Sequence, residues 1–312
     1  MRIGLLAVDG HNNFPNLALM KLSAWHKNRG DTVEWASALS LFGNYDRVYQ
    51  SKVFTFTPDD LTPFNCEVIK AGTGYKDYTT VLTEEQEHTC PDYSLYPDFD
   101  CALGFATRGC KNKCSWCVVP MKEGRIRENS DISEFLDGRK KVTLLDNNIL
   151  AHPHGIRQLI KCSDLGLQVD CNQGLDARMV DDDISKILAS VRWQHTRIRF
   201  AADTSPMIQV VKRTVDKMRR VGFSGEFFIY CLLHGDIREC VDRVLELQSY
   251  DKKLYVHAQP CLDFTGKNTP PKWQKDLAQY CNKRMIYKSV PLKDFMPRKG
   301  FKFMDYLNPS NI

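Results

Sequence analysis

The sequence predicts an α/β protein in two parts: an open, doubly wound parallel sheet, then six strand–helix units curved into a partial barrel. Three observations predict it. Short apolar strands alternate with amphipathic helices along most of the 312 residues. The charge changes sign part-way: residues 1–100 hold 8 Lys/Arg against 14 Asp/Glu, a net −6, while the remainder carries 35 against 24, a net +11. The stretch before that break, "EHTCPDYSLYPDFD", is rich in Pro and Asp and reads as a linker. The expected boundaries are a front domain over 1–88, a linker over 89–100, a barrel over 101–265 and a basic, aromatic extension over 266–312.

The front part opens with "RIGLLAV" (2–8), a buried strand. "PNLALMKLSAWHKNRG" (15–30) follows as a helix, with Pro15 suited to a first turn and Gly30 to a C-terminal stop. "TVEW" (32–35), "RVYQSKVF" (47–54) and "EVIKAG" (67–72) are further strands. Ligands of such sheets bind at the carboxyl ends of the strands. Gly72 and Gly74 stand there in "AGTGY", as a tight turn or a ligand loop. Asp9 and His11 stand there in "VDGHNNF", where solvation or local hydrogen bonding is the favoured role over metal or cobalamin binding.

From residue 101 the alternation is regular. "CALGFAT" (101–107) is strand, and "SDISEFLDG" (130–138) is the expected first helix, capped by Ser130 or Asp131. "KVTLLD" (141–146) and "PHGIRQLIKCS" (153–163) make the next unit. "LQVDC" (167–171) precedes "DDDISKILASV" (181–191), whose acids suit the positive end of a helix. "RIRFAA" (197–202) with "SPMIQVVKRTVDKMRRVG" (205–222), "EFFIYCLL" (226–233) with "DIRECVDRVLELQSY" (236–250), and "LYVHAQP" (254–260) complete six strands. Eight units would need roughly 250 residues, so this barrel stays open.

No run approaches the roughly 18 apolar residues of a membrane helix, and "MRIGLLAVDGHNN" does not read as a secretory signal. The expected location is cytoplasmic. The twelve cysteines therefore read as reduced thiols or ligands rather than a disulfide framework.

Three thiols stand apart. "RGCKNKCSWCVVP" (108–120) spaces Cys110, Cys114 and Cys117 as Cys-x-x-x-Cys-x-x-Cys. A structural zinc site wants four ligands, and no second pair is near. A redox pair of Cys114 and Cys117 leaves Cys110 unexplained. Burial as small hydrophobes suits Cys171 and Cys231, which lie in strands, but not three thiols beside Arg108, Lys111 and Lys113. A four-iron cluster with three protein ligands leaves one iron open, which makes sense of three.

This spacing, with an aromatic before the last Cys and after the first strand of a six-unit partial barrel, resembles the radical S-adenosylmethionine (SAM) superfamily over roughly 101–265. The front part resembles the subgroup with an N-terminal cobalamin-binding-type, Rossmann-like domain. "CSWCVVPMKEGRIR" also resembles the methylthiotransferases. The resemblance implies a 4Fe–4S cluster on Cys110, Cys114 and Cys117, whose fourth iron chelates SAM. It also implies an electron donor such as flavodoxin or ferredoxin, and reductive cleavage of SAM to methionine and a 5′-deoxyadenosyl radical. Trp116 would lie beside the adenine. Asp146, Asn147 and Asn148 stand where the family binds the SAM amino group, although the Gly-Gly-Glu of many members is missing. Asn172, Gln173, Asp176 and Arg178 in "NQGLDAR" are candidates for ribose and carboxylate, and Asp203 is a further one. Helix capping is the ordinary alternative for these residues.

Two departures shape the rest. Phe14 replaces the Gly of Asp-x-His-x-x-Gly, so cobalamin is not favoured and His11 is not expected to ligate cobalt. Methylthiotransferases place three more Cys in the front domain, which here has only Cys66 and Cys90. No small β-barrel RNA-binding appendage is evident at the C-terminal end. Residues 265–304 hold ten Lys/Arg and two acids, with Trp273, Tyr280, Tyr287, Phe295, Phe301 and Phe303 interleaved. Such a tail binds polyanions such as nucleic acid or packs its aromatics back on the barrel, and packing is the favoured reading. The expected function is a radical SAM enzyme of unassigned substrate. The alternatives are methylthiotransferase-like nucleic-acid modification and a non-catalytic, metal-bound nucleic-acid-binding scaffold.

Overall fold

The computed structural model describes residues 1–10, 14–36, 45–262 and 269–308. They divide into two compact units, the first Met1–Asp146 and the second running from Asn147 onward. The class is α/β with mostly parallel sheets: a Rossmann-like sheet in front and the βα units of a partial barrel after it.

In the first unit β1 (Arg2–Ala7), β2 (Thr32–Trp35), β3 (Arg47–Ser51) and β4 (Glu67–Ala71) form a parallel sheet in the order β2-β1-β3-β4. The switch point of that order lies between β1 and β3. α1 (Leu17–Asn28) starts where the Asn16 side chain accepts from the Leu19 N–H at 3.2 Å. Leu19 and Leu22 of α1 pack on Ile3, Leu5 and Tyr49 of the sheet, which makes the core of this part. The β3–β4 connection carries no helix over its described residues. α2 (Glu84–Glu87) is a single turn closed by a capping box between Thr83 and Gln86.

The Pro- and Asp-rich stretch before residue 100 is packed rather than loose. Tyr93 and Tyr96 are buried with Met20, and the Tyr93 hydroxyl donates to the Phe135 carbonyl at 2.6 Å while accepting from the Leu103 N–H. β5 (Cys101–Gly104) follows, then a short antiparallel hairpin of β6 (Thr107–Arg108) and β7 (Arg127–Glu128), with α3 (Val119–Lys122) in its loop. β8 (Lys141–Leu144) pairs parallel with β5.

The helix expected over 130–138 is only a 3₁₀ turn, Ile132–Glu134. Asp131 and Glu134 close a capping box on each other. Phe135 is then driven against Gly104, where an added Cβ would lie 2.6 Å from its ring, and the chain reverses before a second turn forms. The first unit of the series therefore lacks its helix.

In the second unit α4 (Pro153–Asp164), β9 (Gln168–Cys171), α5 (Asp182–Ser190), β10 (Arg192–Trp193), β11 (Arg197–Ala201), α6 (Pro206–Arg220), β12 (Glu226–Leu233), α7 (Ile237–Tyr250) and β13 (Leu254–Pro260) follow in turn. β11, β12 and β13 form a parallel sheet in that order, and β9 pairs parallel with β10, a two-residue strand with no signal in the sequence. The acids expected at the start of α5 are there: Asp181 accepts from the Ile184 N–H, with Asp182 and Asp183 in the first turn.

α8 (Lys272–Asn282) and α9 (Arg284–Ser289) form the extension. Its Tyr280, Tyr287, Phe295 and Phe303 are buried, so these aromatics pack inward and leave the lysines in water. Among the described residues no helix is long and apolar enough to cross a membrane.

Candidate functional site

The three-cysteine loop hangs between β6 and β7. It begins at Gly109, whose φ of +81° is left-handed and whose added Cβ would lie 2.3 Å from the Arg125 carbonyl oxygen. Only glycine lets the two arms of the loop approach so closely. The Gly109 N–H donates to Glu123 Oε2 at 3.0 Å, and the Cys110 N–H donates to the Gly124 carbonyl at 3.2 Å. The Asn112 N–H points at Cys110 Sγ, 3.4 Å away, and a turn joins the Cys117 N–H to the Cys114 carbonyl. Pro120 then lies in the first turn of α3, which begins at Val119. Cys110, Cys114 and Cys117 are each half-buried, unlike Cys101, Cys171 and Cys231, which are buried as the sequence suggested for the two strand thiols.

Of the cations expected around the thiols, Arg108 is compensated by two carboxylates. Arg108 Nη2 meets Glu87 Oε1 at 2.9 Å, and Nη1 lies 3.5 Å from Glu123. Lys21, 2% exposed, lies 3.1 Å from the same Glu87 carboxylate, which also accepts from Asn129 Nδ2. Burial alone would raise the Glu87 carboxyl; Arg108 and Lys21 outweigh it and hold it below its ordinary range. Burial lowers the Lys21 ammonium more than Glu87 restores it. Sequence reading missed Glu87, Glu123 and Lys21 because no spacing rule connects α1, α2 and the loop. Only Lys21 leaves a trace, a charge inside the apolar run "LALMKLSAW"; Glu87 and Glu123 stand among other polar residues.

Among the described residues no three His, Cys, Asp or Glu side chains converge as a single metal ion requires. A four-iron cluster spreads its thiolates over separate irons, so convergence on one point is not its signature. The donor set fits such a cluster: three half-buried thiols on one short loop, with a backbone N–H already directed at one sulfur. Hydrogen bonds of that kind tune cluster sulfurs.

The other candidates are each tied locally. In the first unit Asp146 is 3% exposed and accepts from the Ala106 N–H at 3.1 Å and from the Thr107 N–H and hydroxyl, the latter at 2.7 Å. It clamps the chain just ahead of the cysteine loop, and burial pushes its carboxyl up to about 6. Trp116 is half-buried in the loop. In the second unit Asn148 Nδ2 donates to Asp176 Oδ2 at 3.3 Å, and Asp176 holds Arg178 through two contacts of 2.8 and 2.7 Å. Asp176 also caps the turn Ala177–Met179, so the capping alternative holds for it alongside any contact with a ligand. Asn147 is half-buried. The Asn172 carbonyl accepts from Tyr230 and its side chain from Gln173. Asp203 does not cap α6: its Oδ1 accepts from the Leu232 N–H at 2.9 Å, while its carbonyl accepts from the buried Arg243.

At the front, Asp9 is committed to structure. Its carboxylate accepts from the Val53 and Phe54 N–H groups and from the Thr57 hydroxyl, in keeping with the hydrogen-bonded role favoured for this loop. His11 lies outside the described residues. Gly72 has φ +110° and packs where an added Cβ would be 2.3 Å from the Lys52 carbonyl oxygen, while the Gly74 N–H donates to that oxygen. The glycines thus serve close backbone approach in a tight turn.

No family model matches the chain. Over part of its length it is similar to curated proteins named tRNA-2-methylthio-N(6)-dimethylallyladenosine synthase. It is 35% identical over 82 residues to that of Clostridium beijerinckii, covering 23% of this chain and 18% of the relative. For Syntrophomonas wolfei the match is 35% over 75 residues, or 22% and 17%. For Flavobacterium johnsoniae it is 30% over 152 residues, or 41% and 30%. The chain thus spans less than a third of the length of these relatives. The matches support kinship with the radical SAM superfamily from its methylthiotransferase side. They do not support the cobalamin-binding subgroup.

Proposed function

We propose that the chain is a cytoplasmic radical SAM iron–sulfur enzyme that starts radical chemistry on a nucleoside of an RNA. The observation that carries the reading is the loop of Cys110, Cys114 and Cys117, closed at its base by Gly109 and Glu123. The relatives' name supplies the nucleoside, and the net +11 beyond residue 100 suits a polyanionic partner.

When bound, the cluster supplies the electron that splits SAM reductively, an electron drawn from a carrier of the flavodoxin or ferredoxin class. The chain's own work is to hold and orient. The three thiolates would hold the irons, and Glu123 fixes the path of the loop. Trp116 offers a face to the adenine. Asn147, Asn148, Asn172, Gln173, Asp176 and Arg178 supply donors and acceptors for the amino, carboxylate and ribose groups of SAM. Asp146 and Asp203 act one step back, since the hydrogen bonds of their carboxylates go to backbone and a neighbouring hydroxyl.

Sulfur insertion is not part of the proposal. The first 100 residues contain only Cys66 and Cys90, one half-buried and one exposed, which is too few thiols for a second cluster of the methylthiotransferase kind.

The test is anaerobic purification with iron and sulfide analysis. About four irons per chain and a broad visible absorption lost in Cys114→Ala support the reading. Stoichiometric zinc without iron supports the scaffold instead.

A further inference from the structure

The sheet of the second unit has two unlike faces. Ile198, Phe200, Phe227, Ile229, Val256 and Ala258 are fully buried on one. The alternate positions carry Arg199, Phe228, Tyr230 and His257, joined by Asp170 of β9. Register places Arg199 beside Phe228, and Tyr230 beside His257. A face meant only for packing has no need of this chemistry at period two.

The group is built and held. Arg199 makes a two-pronged contact with Asp170 at 2.7 and 3.0 Å, and its third nitrogen reaches the Tyr230 hydroxyl at 3.3 Å. Tyr230 donates in turn to the Asn172 carbonyl at 2.8 Å. Arg199 lies over the Phe228 ring, 5.1 Å from its centre. His257 stacks on Phe228, with centroids 5.3 Å apart and planes at 25°, and stands edge-on to Tyr230 at 5.8 Å and 89°. So His257 has one ring parallel to it and another at right angles. His257 is the exception in this satisfied network: it is half-buried, and among the described residues neither of its ring nitrogens meets a hydrogen-bond partner. Burial, with Arg199 next, lowers its pKa, so at neutral pH it is an uncharged ring with one donor and one acceptor.

A planar heterocycle with polar edges suits such a group of rings, with His257 free to bond its edge. Bases outside a helix are held by stacking on aromatic rings and guanidinium planes and by hydrogen bonds to their edges. An enzyme that acts on a base takes it out of its stack into a pocket of this kind. We propose that Phe228, Tyr230 and His257 form the binding slot for the adenine base of the substrate nucleoside, with His257 as its edge-reading residue. This rests on the RNA reading above. The adenine of SAM has the same chemistry, but the candidate cofactor contacts lie at strand ends and in loops, whereas these residues lie on the strands themselves.

The experiment is equilibrium dialysis of the reconstituted protein, without reductant, against radiolabelled adenosine and separately against SAM. His257→Phe keeps the ring and removes the edge; it should weaken adenosine about tenfold, equivalent to about 1.4 kcal/mol, with SAM unchanged. His257→Gln, which restores a donor and an acceptor, should recover most of that loss and guards against a folding artefact. Failure of wild type to bind adenosine, or weakening of SAM rather than adenosine in His257→Phe, overturns the proposal. Iron content separates the two readings: if no cluster forms, the radical SAM reading fails, while adenosine binding still decides this one.

Discussion

Arg108 and Glu87 meet at 2.9 Å, and through that contact the first residues of the cysteine loop are joined to α1 by way of Lys21. The loop is therefore braced by elements 20 residues and more upstream. Glu87→Ala takes from the buried Lys21 its carboxylate partner and leaves Arg108 with only the longer contact to Glu123. The expected cost is about 3 kcal/mol, the low end for breaking a buried pair, because both side chains of the Arg108–Glu87 pair keep some water. Chemical denaturation of the apoprotein measures it, and iron retention should fall with it. Unchanged stability would remove the brace from the account.

Gly109→Ala tests the base of the loop. A left-handed backbone costs a non-glycine residue about 1–2 kcal/mol, and here the added Cβ also meets the Arg125 carbonyl oxygen at 2.3 Å. The arms must part, so the variant should fold but bind substoichiometric iron. Full iron loading would show that the close approach is dispensable.

Asp146 gives a pH dependence with a definite sign. Its folded pKa, raised by burial from 3.8 to about 6, means that the folded state holds its proton longer than the unfolded chain. The ionised form is the disfavoured one, so stability is lost as pH rises from about 4 to 6, by about 3 kcal/mol in all. Measured against Asp146→Asn, which does not titrate, wild type should lose ground across that window and run parallel to the variant above it. A difference that does not vary with pH would mean that Asp146 is not perturbed.

Asp176→Ala and Arg178→Ala should each weaken SAM binding about tenfold or more, the scale of one lost charge-assisted hydrogen bond, while iron content stays at the wild-type level. The split between cofactor affinity and iron content is the informative readout. SAM affinity unchanged in both variants would remove "NQGLDAR" from the cofactor site.

Much of the fold was legible because period and punctuation are local. α1, α5, α6 and α7 announce themselves by apolar spacing, and α5 also by its acidic start, but Pro15, expected in the first turn of α1, lies ahead of the N-cap Asn16. The missing helix after β5 was not legible. "SDISEFLDG" has good cap chemistry, but its length is set by where Phe135 must pack, which is a tertiary decision. The thiol loop was legible from spacing alone. Its brace was not, since Glu87 and Glu123 meet Arg108, and Lys21 meets Glu87, only in three dimensions. The Tyr230–His257 slot had a faint signal, polar residues at every second position of "RIRF" and "LYVHAQ", which is easily read as strand surface.

The most direct measurement of the central claim is 5′-deoxyadenosine formed from SAM by anaerobically reconstituted, reduced protein. The account predicts slow formation in wild type without substrate, none in Cys110→Ala, Cys114→Ala or Cys117→Ala, and retention in Cys101→Ala, whose thiol is buried in a strand. Full iron loading with no 5′-deoxyadenosine from SAM in the wild type would contradict it.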